Sequence, residues 1–131
     1  MEHSYKIAVS KISPKDDGVE LFSYFVDDVS NIIFSYKQNR DRVLFTDKNL
    51  VLIDFTGWSE KEKEFVIIPY SSISAVSLKT AGIIKGDSDL ILSVVDVGSV
   101  LIEFGKNIQT KEILAFLCRK IGRVEVRPSQ P

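Results

Sequence analysis

A chain of 131 residues, with 44% apolar and 27% charged residues, is long enough for one domain and has the composition of a globular protein. Its formal net charge of -1 argues against a nucleic-acid-binding protein, because such domains are usually strongly basic. The charge is unevenly distributed: residues 16–30 carry five carboxylates and no cation, whereas residues 106–127 carry six cations and two carboxylates. Segments of opposite charge can attract each other within one chain or between neighbouring chains.

The sequence gives little sign of an exported or membrane-bound protein. Cys118 is the single cysteine, so the chain cannot form an internal disulfide, and nothing in it indicates an oxidising compartment. No run has the apolar core of a signal peptide or the ~20 apolar residues that span a bilayer. We therefore expect a cytoplasmic protein.

Residues 1–30 are predicted to form an N-terminal extension that contains one short amphipathic helix. Residues 1–18 are mixed in character and end in a loop that contains Pro, Asp and Gly. Four apolar residues then follow at the spacing i, i+3, i+4 and i+7, namely Phe22, Phe25, Val26 and Val29. This spacing places them on one helical face, with the neighbouring carboxylates off it.

From residue 31 onward, the sequence changes to short runs of β-branched and aromatic residues that are separated by turn residues. Seven runs are candidate strands, at residues 32–36, 43–46, 50–55, 65–68, 73–80, 90–95 and 100–104. Leu90, Leu92 and Val94 alternate with other residues, as expected for a strand that buries one face. Seven short strands with close turns predict an antiparallel sandwich or barrel.

A second helix is predicted after the last strand. Thr110 is a suitable N-cap residue and Gly122 a suitable C′ residue for it. The apolar stripe of this helix consists of Ile113, Leu114, Leu117 and Ile121. We expect the stripe to close one open end of the curled sheet, and residues 123–131 to form a polar tail.

Three stretches of the sequence resemble the bacterial pleckstrin homology-like family. They are RDRVLFTDKNLVLID (40–54), VIIPYSSISAVSLKTAG (66–82), and DSDLILSV (87–94) followed by VLIEFGK (100–106). The resemblance implies a mainly β, PH-like, seven-stranded antiparallel barrel or sandwich that is capped by a C-terminal α-helix over residues 31–122. It also implies assembly into closed rings through the strands of the barrel. Asn49, where the family commonly has Arg, and the acidic helix in residues 19–29 depart from the family pattern.

The sequence offers little for catalysis or for metal binding. His3 is the single histidine and lies near the N-terminus, where it is expected to be inert or disordered. Cys118 is expected to be a small core residue on the helix rather than a reactive thiol. The pair Asp87 and Asp89 is expected to mark a turn at the start of a strand, because the later ligands of a calcium loop are missing. We therefore predict no enzyme activity, no metal and no cofactor.

Cations and one tryptophan near the first hairpins are the candidate binding or interface residues. They are Lys37, Arg40, Arg42, Lys48 and Trp58. Clustered cations suit a phosphate group, but Asp41 and Asp47 lie among them and neutralise much of their field. Trp58 follows Gly57 in a polar loop, where it either anchors a partner or folds back over one end of the barrel.

Two functions are compatible with these features. The first is a non-enzymatic protein–protein interaction module that self-associates, as a cyclic homo-oligomer, and that also binds a further protein partner. The alternative is peripheral binding to anionic lipid headgroups through the basic hairpin. We favour the first, because the hairpin is nearly neutral when its carboxylates are counted.

Overall fold

A computed structural model describes residues 3–55, 62–80, 87–121 and 124–128 of the chain. Ten strands form two five-stranded sheets in this part of the chain, and two α-helices flank them. The strands are β1 (Tyr5–Val9), β2 (Lys11–Ile12), β3 (Ile32–Gln38), β4 (Asp41–Thr46), β5 (Asn49–Phe55), β6 (Lys63–Pro69), β7 (Ile73–Thr80), β8 (Ser88–Val94), β9 (Gly98–Phe104) and β10 (Val124–Pro128). The helices are α1 (Val19–Phe22) and α2 (Lys111–Lys120), with 3-10 helices at Val29–Asn31 and Tyr70–Ser72.

All seven predicted strands are confirmed, as β3 to β9, and each pairs with its sequence neighbour in an antiparallel manner within its sheet. One sheet has the order β2-β3-β4-β5-β6 and the other the order β1-β9-β8-β7-β10. The 3-10 helix Tyr70–Ser72 connects β6 to β7 and so carries the chain from one sheet to the other. The Tyr70 hydroxyl donates to the Thr46 carbonyl oxygen at 2.8 Å and anchors this connection.

Three strands were not predicted from the sequence. β1 lies in the segment expected to be an extension, yet it pairs in parallel with β9, from Tyr5 opposite Val100 to Val9 opposite Phe104. β2 pairs with β3 beside the hairpin. β10 lies where a polar tail was expected and pairs in parallel with β7. A parallel partner is distant in sequence, so no local turn signal marks such a strand.

The main apolar core lies between the two sheets, and α2 closes one end of it, as predicted. Ile113 and Leu117 of the predicted stripe are buried, while Leu114 and Ile121 are partly buried against the same core. Phe116 was missed, although it is buried and its ring lies 5.4–6.4 Å from the rings of three other aromatic residues. These are Phe34, Phe45 and Tyr70.

Two details of α2 differ from the prediction. Cys118 is exposed, so the expectation of a core cysteine is wrong. The buried face of α2 consists of positions 113, 116 and 117, and position 118 is turned away from this face around the helix axis. Thr110 is the N-cap residue, but its side chain does not cap the helix. Its hydroxyl donates instead to the Ser88 hydroxyl at 3.4 Å. Gly122 lies outside the described residues.

A second apolar cluster lies on the outer face of β4 and β5. The predicted N-terminal helix is shorter than expected, because α1 ends at Phe22 and the amides of Phe25 and Val26 both donate to the Phe22 carbonyl oxygen. Its predicted apolar face nevertheless packs as expected: Phe22 is buried, and Phe25, Val26 and Val29 are partly buried. They cover a patch of the sheet made of Ile32, Leu44, Val51 and Ile53.

Candidate functional site

The β3–β4 hairpin brings two of the predicted cations together. Lys37 on β3 lies directly opposite Arg42 on β4, and Gln38 lies opposite Asp41. Asn39 in the turn has a φ of 55°, a left-handed conformation that Asn tolerates better than most residues do. Cross-strand neighbours of like charge repel each other, so this pair requires a counter-charge.

The counter-charge comes from Asp17, which lies in the N-terminal segment. The Asp17 Oδ2 atom is 3.0 Å from Lys37 Nζ and 3.4 Å from Arg42 Nη2. The Ser13 hydroxyl also donates to this oxygen, at 3.3 Å. The hydrogen bond from Lys37, aided by the charges of Lys37 and Arg42, holds the pKa of Asp17 below its ordinary value. The anion bound at this hairpin is therefore a side chain of the protein itself.

Arg42 is further restrained by the backbone of its own turn. Its Nη1 atom donates to the carbonyl oxygens of Asn39, at 3.0 Å, and Asp41, at 3.3 Å. The side chain is only 14% exposed. A guanidinium group that is held by several acceptors in one geometry has little freedom to bind an external ligand.

The other predicted cations do not join this pair. The Arg40 guanidinium lies 5.0 Å from the centre of the Phe55 ring, where it makes a cation–π contact. Lys48 is exposed in the turn between β4 and β5. It lies beyond the end of β4 at Thr46, which is roughly 13 Å from Arg42 at the rise of a strand. Trp58 lies outside the described residues. The predicted cations therefore do not form one cluster but lie in at least two separate places.

Carboxylates line a cavity of about 400 Å³ that the sequence did not indicate. Asp89 lies opposite Glu103 on the neighbouring strand and opposite Lys79 on the other side. Burial, and then the charge of Glu103, raise the pKa of Asp89. Asp87 lies just before β8 and also lines the cavity. Within residues 3–55, 62–80, 87–121 and 124–128, no group of three or more His, Cys, Asp or Glu residues is arranged to hold a metal ion.

An exposed apolar surface lies along the edge strand β6 and was not predicted. Tyr24 is 78% exposed and Ile67 is 46% exposed. Phe65, which is partly buried, lies between them, with its ring centre 5.9 Å from that of Tyr24. We call these three residues the β6 surface. The sequence predicted a strand at residues 65–68 but does not show that this strand lies at the edge of its sheet.

Two further expectations, on His3 and on membrane-spanning segments, concern features outside the hairpin. His3, expected to be inert or disordered, lies with its Nδ1 atom 2.7 Å from the Ser99 hydroxyl oxygen. No helix in the described part of the chain has the length and apolar character needed to cross a bilayer.

Two sheets that pack face to face, with one end closed by a C-terminal helix, define a domain of the pleckstrin homology class. The chain belongs to the bacterial PH domain family, whose model matches residues 5–121. The match starts well before residue 31, where the sequence prediction placed the start of the domain, and so it includes β1 and β2.

Two curated relatives from Bacillus subtilis (strain 168) are similar to this chain. The uncharacterized protein YjqA is 38% identical over 89 residues, which cover 64% of this chain and 71% of YjqA. The uncharacterized protein YozO is 29% identical over 86 residues, which cover 66% of this chain and 74% of YozO. Neither name carries a function.

Two solved structures have a similar fold. A DUF1696 family protein with a pleckstrin homology domain from Shewanella loihica PV-4 matches with a TM-score of 0.71 and 24% identity, over 83% of this chain and 94% of that one. A pleckstrin homology domain from Shewanella amazonensis SB2B matches with a TM-score of 0.63 and 26% identity, over 82% and 88% of the two chains. These matches support the fold.

Proposed function

We propose that this chain is a non-enzymatic protein–protein interaction module that self-associates into a cyclic homo-oligomer in the cytoplasm. One observation carries the proposal: β6 is a long edge strand that presents apolar side chains to solvent. β6 pairs with β5 over its whole length, from Asn49 opposite Pro69 to Phe55 opposite Lys63. No described strand pairs with its other side.

An edge strand of this kind favours association. Its outward N–H and C=O groups are a template for another chain, and proteins usually protect such edges with charges, bulges or a covering element. Lys63 and Glu64 protect the first part of β6, but the part that carries Phe65 and Ile67 has no charged side chain. A contact with another protein would therefore bury both apolar area and unpaired backbone groups.

The other sheet edges are less suited to this role. β2 has two residues, and β1 and β10 have five residues each, compared with seven in β6. Lys6 on β1 also forms an ion pair with Glu103, with Nζ and Oε1 3.6 Å apart. Ring closure requires contacts between two different surfaces on each subunit, because identical surfaces that meet face to face give a dimer.

Lipid binding is not proposed, because Lys37 and Arg42 are already paired with the carboxylate of Asp17. A headgroup phosphate would have to displace that carboxylate from a position where three donors hold it. Arg40 is separated from this pair by its contact with Phe55. The arrangement does not offer the convergent donors that phosphate recognition needs.

The mass of the protein in solution tests the proposal. Light scattering coupled to size exclusion, over a wide dilution series, should give a multiple of the 14.7 kDa chain mass. An Ile67→Lys variant should shift towards the monomer, because it places a charge on the β6 surface. Val97→Lys is the matched control, since Val97 is 53% exposed in the turn between β8 and β9, away from the β6 surface. A monomeric wild-type chain at every concentration would contradict the proposal.

A further inference from the structure

Two exposed surfaces of opposite charge are not neutralised within the described part of the chain. The acidic surface comprises Asp16, Glu20, Asp27 and Asp28, all exposed, in the segment that contains Tyr24. The basic surface comprises Lys106, Lys111, Arg119 and Lys120, all exposed, on or just before α2. None of these eight residues forms an ion pair with another described residue, since the ion pairs found involve Asp17 and Glu103.

The contacts of Lys120 and Arg119 are with neutral groups. Lys120 Nζ donates to the Asp47 carbonyl oxygen at 3.0 Å and lies 5.6 Å from the centre of the Phe116 ring. The Arg119 guanidinium lies 5.9 Å from the same ring. These contacts orient the two cations without removing their charge. Glu112 is the single carboxylate of α2, so the helix surface stays positive.

The exposed face of α2 is flat between its cations. Lys111, Ala115 and Cys118 are exposed at the spacing i, i+4 and i+7, and Arg119 follows. The two small side chains thus lie between cations that are about 12 Å apart along the helix axis. An aromatic side chain from another molecule has room to lie on this face, with negative charges reaching the cations on either side.

The acidic surface carries the complementary charge and an exposed aromatic side chain. Tyr24 is the most exposed large apolar side chain in the described residues, and Glu20 and Asp27 flank it in sequence. Lys15 and Lys48 lie near this surface, lining shallow pockets beside Asp28 and Asp27 respectively. The four carboxylates outnumber these two lysines, so the surface stays negative.

We infer that α2 of one copy binds the acidic surface of a second copy, with Tyr24 placed against Ala115 and Cys118. The inference rests on the proposed self-association and names the elements that meet. Tyr24 lies in the segment that carries the acidic surface and is also part of the β6 surface, so a helix bound there would also cover the exposed edge strand β6 of the second copy. The contact joins two different surfaces of the chain and is therefore compatible with ring closure.

Charge reversal tests the inference. A Lys111→Glu, Arg119→Glu variant should weaken self-association about tenfold or more, as should a Glu20→Lys, Asp27→Lys variant, because each replaces two attractive pairs with repulsive ones. A mixture of the two variants should associate again, since each supplies the surface that the other has lost. Asp28 is left unchanged because its Oδ1 atom accepts from the Ser30 amide at 2.9 Å. A mixture that stays dissociated overturns the inference.

Cross-linking tests the predicted neighbours directly. A Tyr24→Cys, Cys118→Ser variant is mixed with the wild-type chain and oxidised, so that a bond between positions 24 and 118 can form only between two molecules. A Val97→Cys, Cys118→Ser variant is the control, because Val97 is exposed elsewhere. We expect a disulfide-linked dimer, sensitive to reductant, from the first mixture and at least tenfold less from the control. Equal yields overturn the inference.

Failure of the inference and failure of the proposed function give different results. If wild-type protein associates, but charge reversal changes nothing and no specific cross-link forms, the inference is wrong and self-association uses other surfaces. If wild-type protein is monomeric in light scattering, the proposed function is wrong and the inference is wrong with it.

Discussion

Both faces of strands β4 and β5 are buried, but the two covers differ in construction. The inner face, with Val43 and Phe45, packs against the second sheet and α2, which are regular elements with continuous hydrogen bonding. The outer face, with Leu44 and Val51, is covered by residues 13–31, which we call the outer cover. The α-helix in the outer cover is only four residues long. Equal burial of side chains therefore does not imply equal resistance to opening.

The outer cover is attached to the sheet at its two ends. The Ser13 amide donates to the Ser35 carbonyl oxygen at 2.9 Å, and the Asp47 amide donates to the Asn31 carbonyl oxygen at 2.9 Å. Between these ends, the attachment consists of apolar side chains and of the ion pairs of Asp17. The inner core should thus unfold with the whole domain, whereas the outer cover should open as a smaller unit.

The largest effect is expected from a charge placed under α2. Ile113→Asp buries a carboxylate in a site that is only 1% exposed, and its desolvation should cost more than about 4 kcal/mol and unfold the domain. Ala115→Asp is the matched control, because Ala115 is exposed on the same helix and the variant should stay folded. Far-UV circular dichroism and the dispersion of amide NMR signals distinguish the two. A folded Ile113→Asp variant would show that α2 is not part of the cooperative core.

An intermediate effect is expected from the outer cluster. Phe22 is 1% exposed, and Phe22→Ala should destabilise the cover by about 2–4 kcal/mol. Hydrogen exchange measured by mass spectrometry should show faster exchange in residues 13–31, with β8 and β9 still protected. Ile12→Ala is the control and should change the exchange little, because Ile12 is 69% exposed and lies just outside residues 13–31. Equal loss of protection in all strands would show that the two covers open together.

The contrast between the two covers also explains what the sequence could predict. The seven strands β3 to β9 and helix α2 were predictable from local patterns. Runs of strand-forming residues between turn residues identify strands that pair with their sequence neighbours, and apolar residues at helical spacing identify α2. β1 and β10 were not, because their partners are distant in the chain. The apolar spacing from Phe22 to Val29 predicted burial correctly but overestimated the helix, since the same side chains reach the sheet from a series of turns.

The hairpin cations illustrate a second limit of the sequence. Lys37, Arg40 and Arg42 were correctly identified as neighbours of one turn, and their carboxylate partners were sought within the hairpin. The partner of Lys37 and Arg42 is Asp17, which is twenty or more residues away along the chain. No local pattern indicates that contact, because only the path of the cover across the sheet brings Asp17 to the hairpin. The β6 surface was missed for a similar reason, since edge position is a property of the whole sheet.

The smallest expected effect comes from the charge that attaches the cover to the hairpin. Asp17 is partly exposed, so its ion pairs should contribute no more than about 1 kcal/mol, and Asp17→Asn should lower the midpoint of thermal unfolding by a few degrees at neutral pH. Asp16→Asn is the control, because Asp16 is exposed and forms no ion pair with another described residue. Both variants are compared with wild type at one protein concentration, since self-association also shifts the midpoint.

The pH dependence of this difference identifies its cause. The pKa of Asp17 is lower in the folded chain than its ordinary value of 3.8, so the folded state favours the charged form. The stabilisation is therefore present above pH 3.8 and is lost as the pH falls through the folded pKa, where both states become protonated. The midpoints of wild type and Asp17→Asn should differ at neutral pH and converge in acid. A difference that persists in acid would mean that Asp17 holds the cover by packing or by neutral hydrogen bonds, and that the outer cover does not depend on charge.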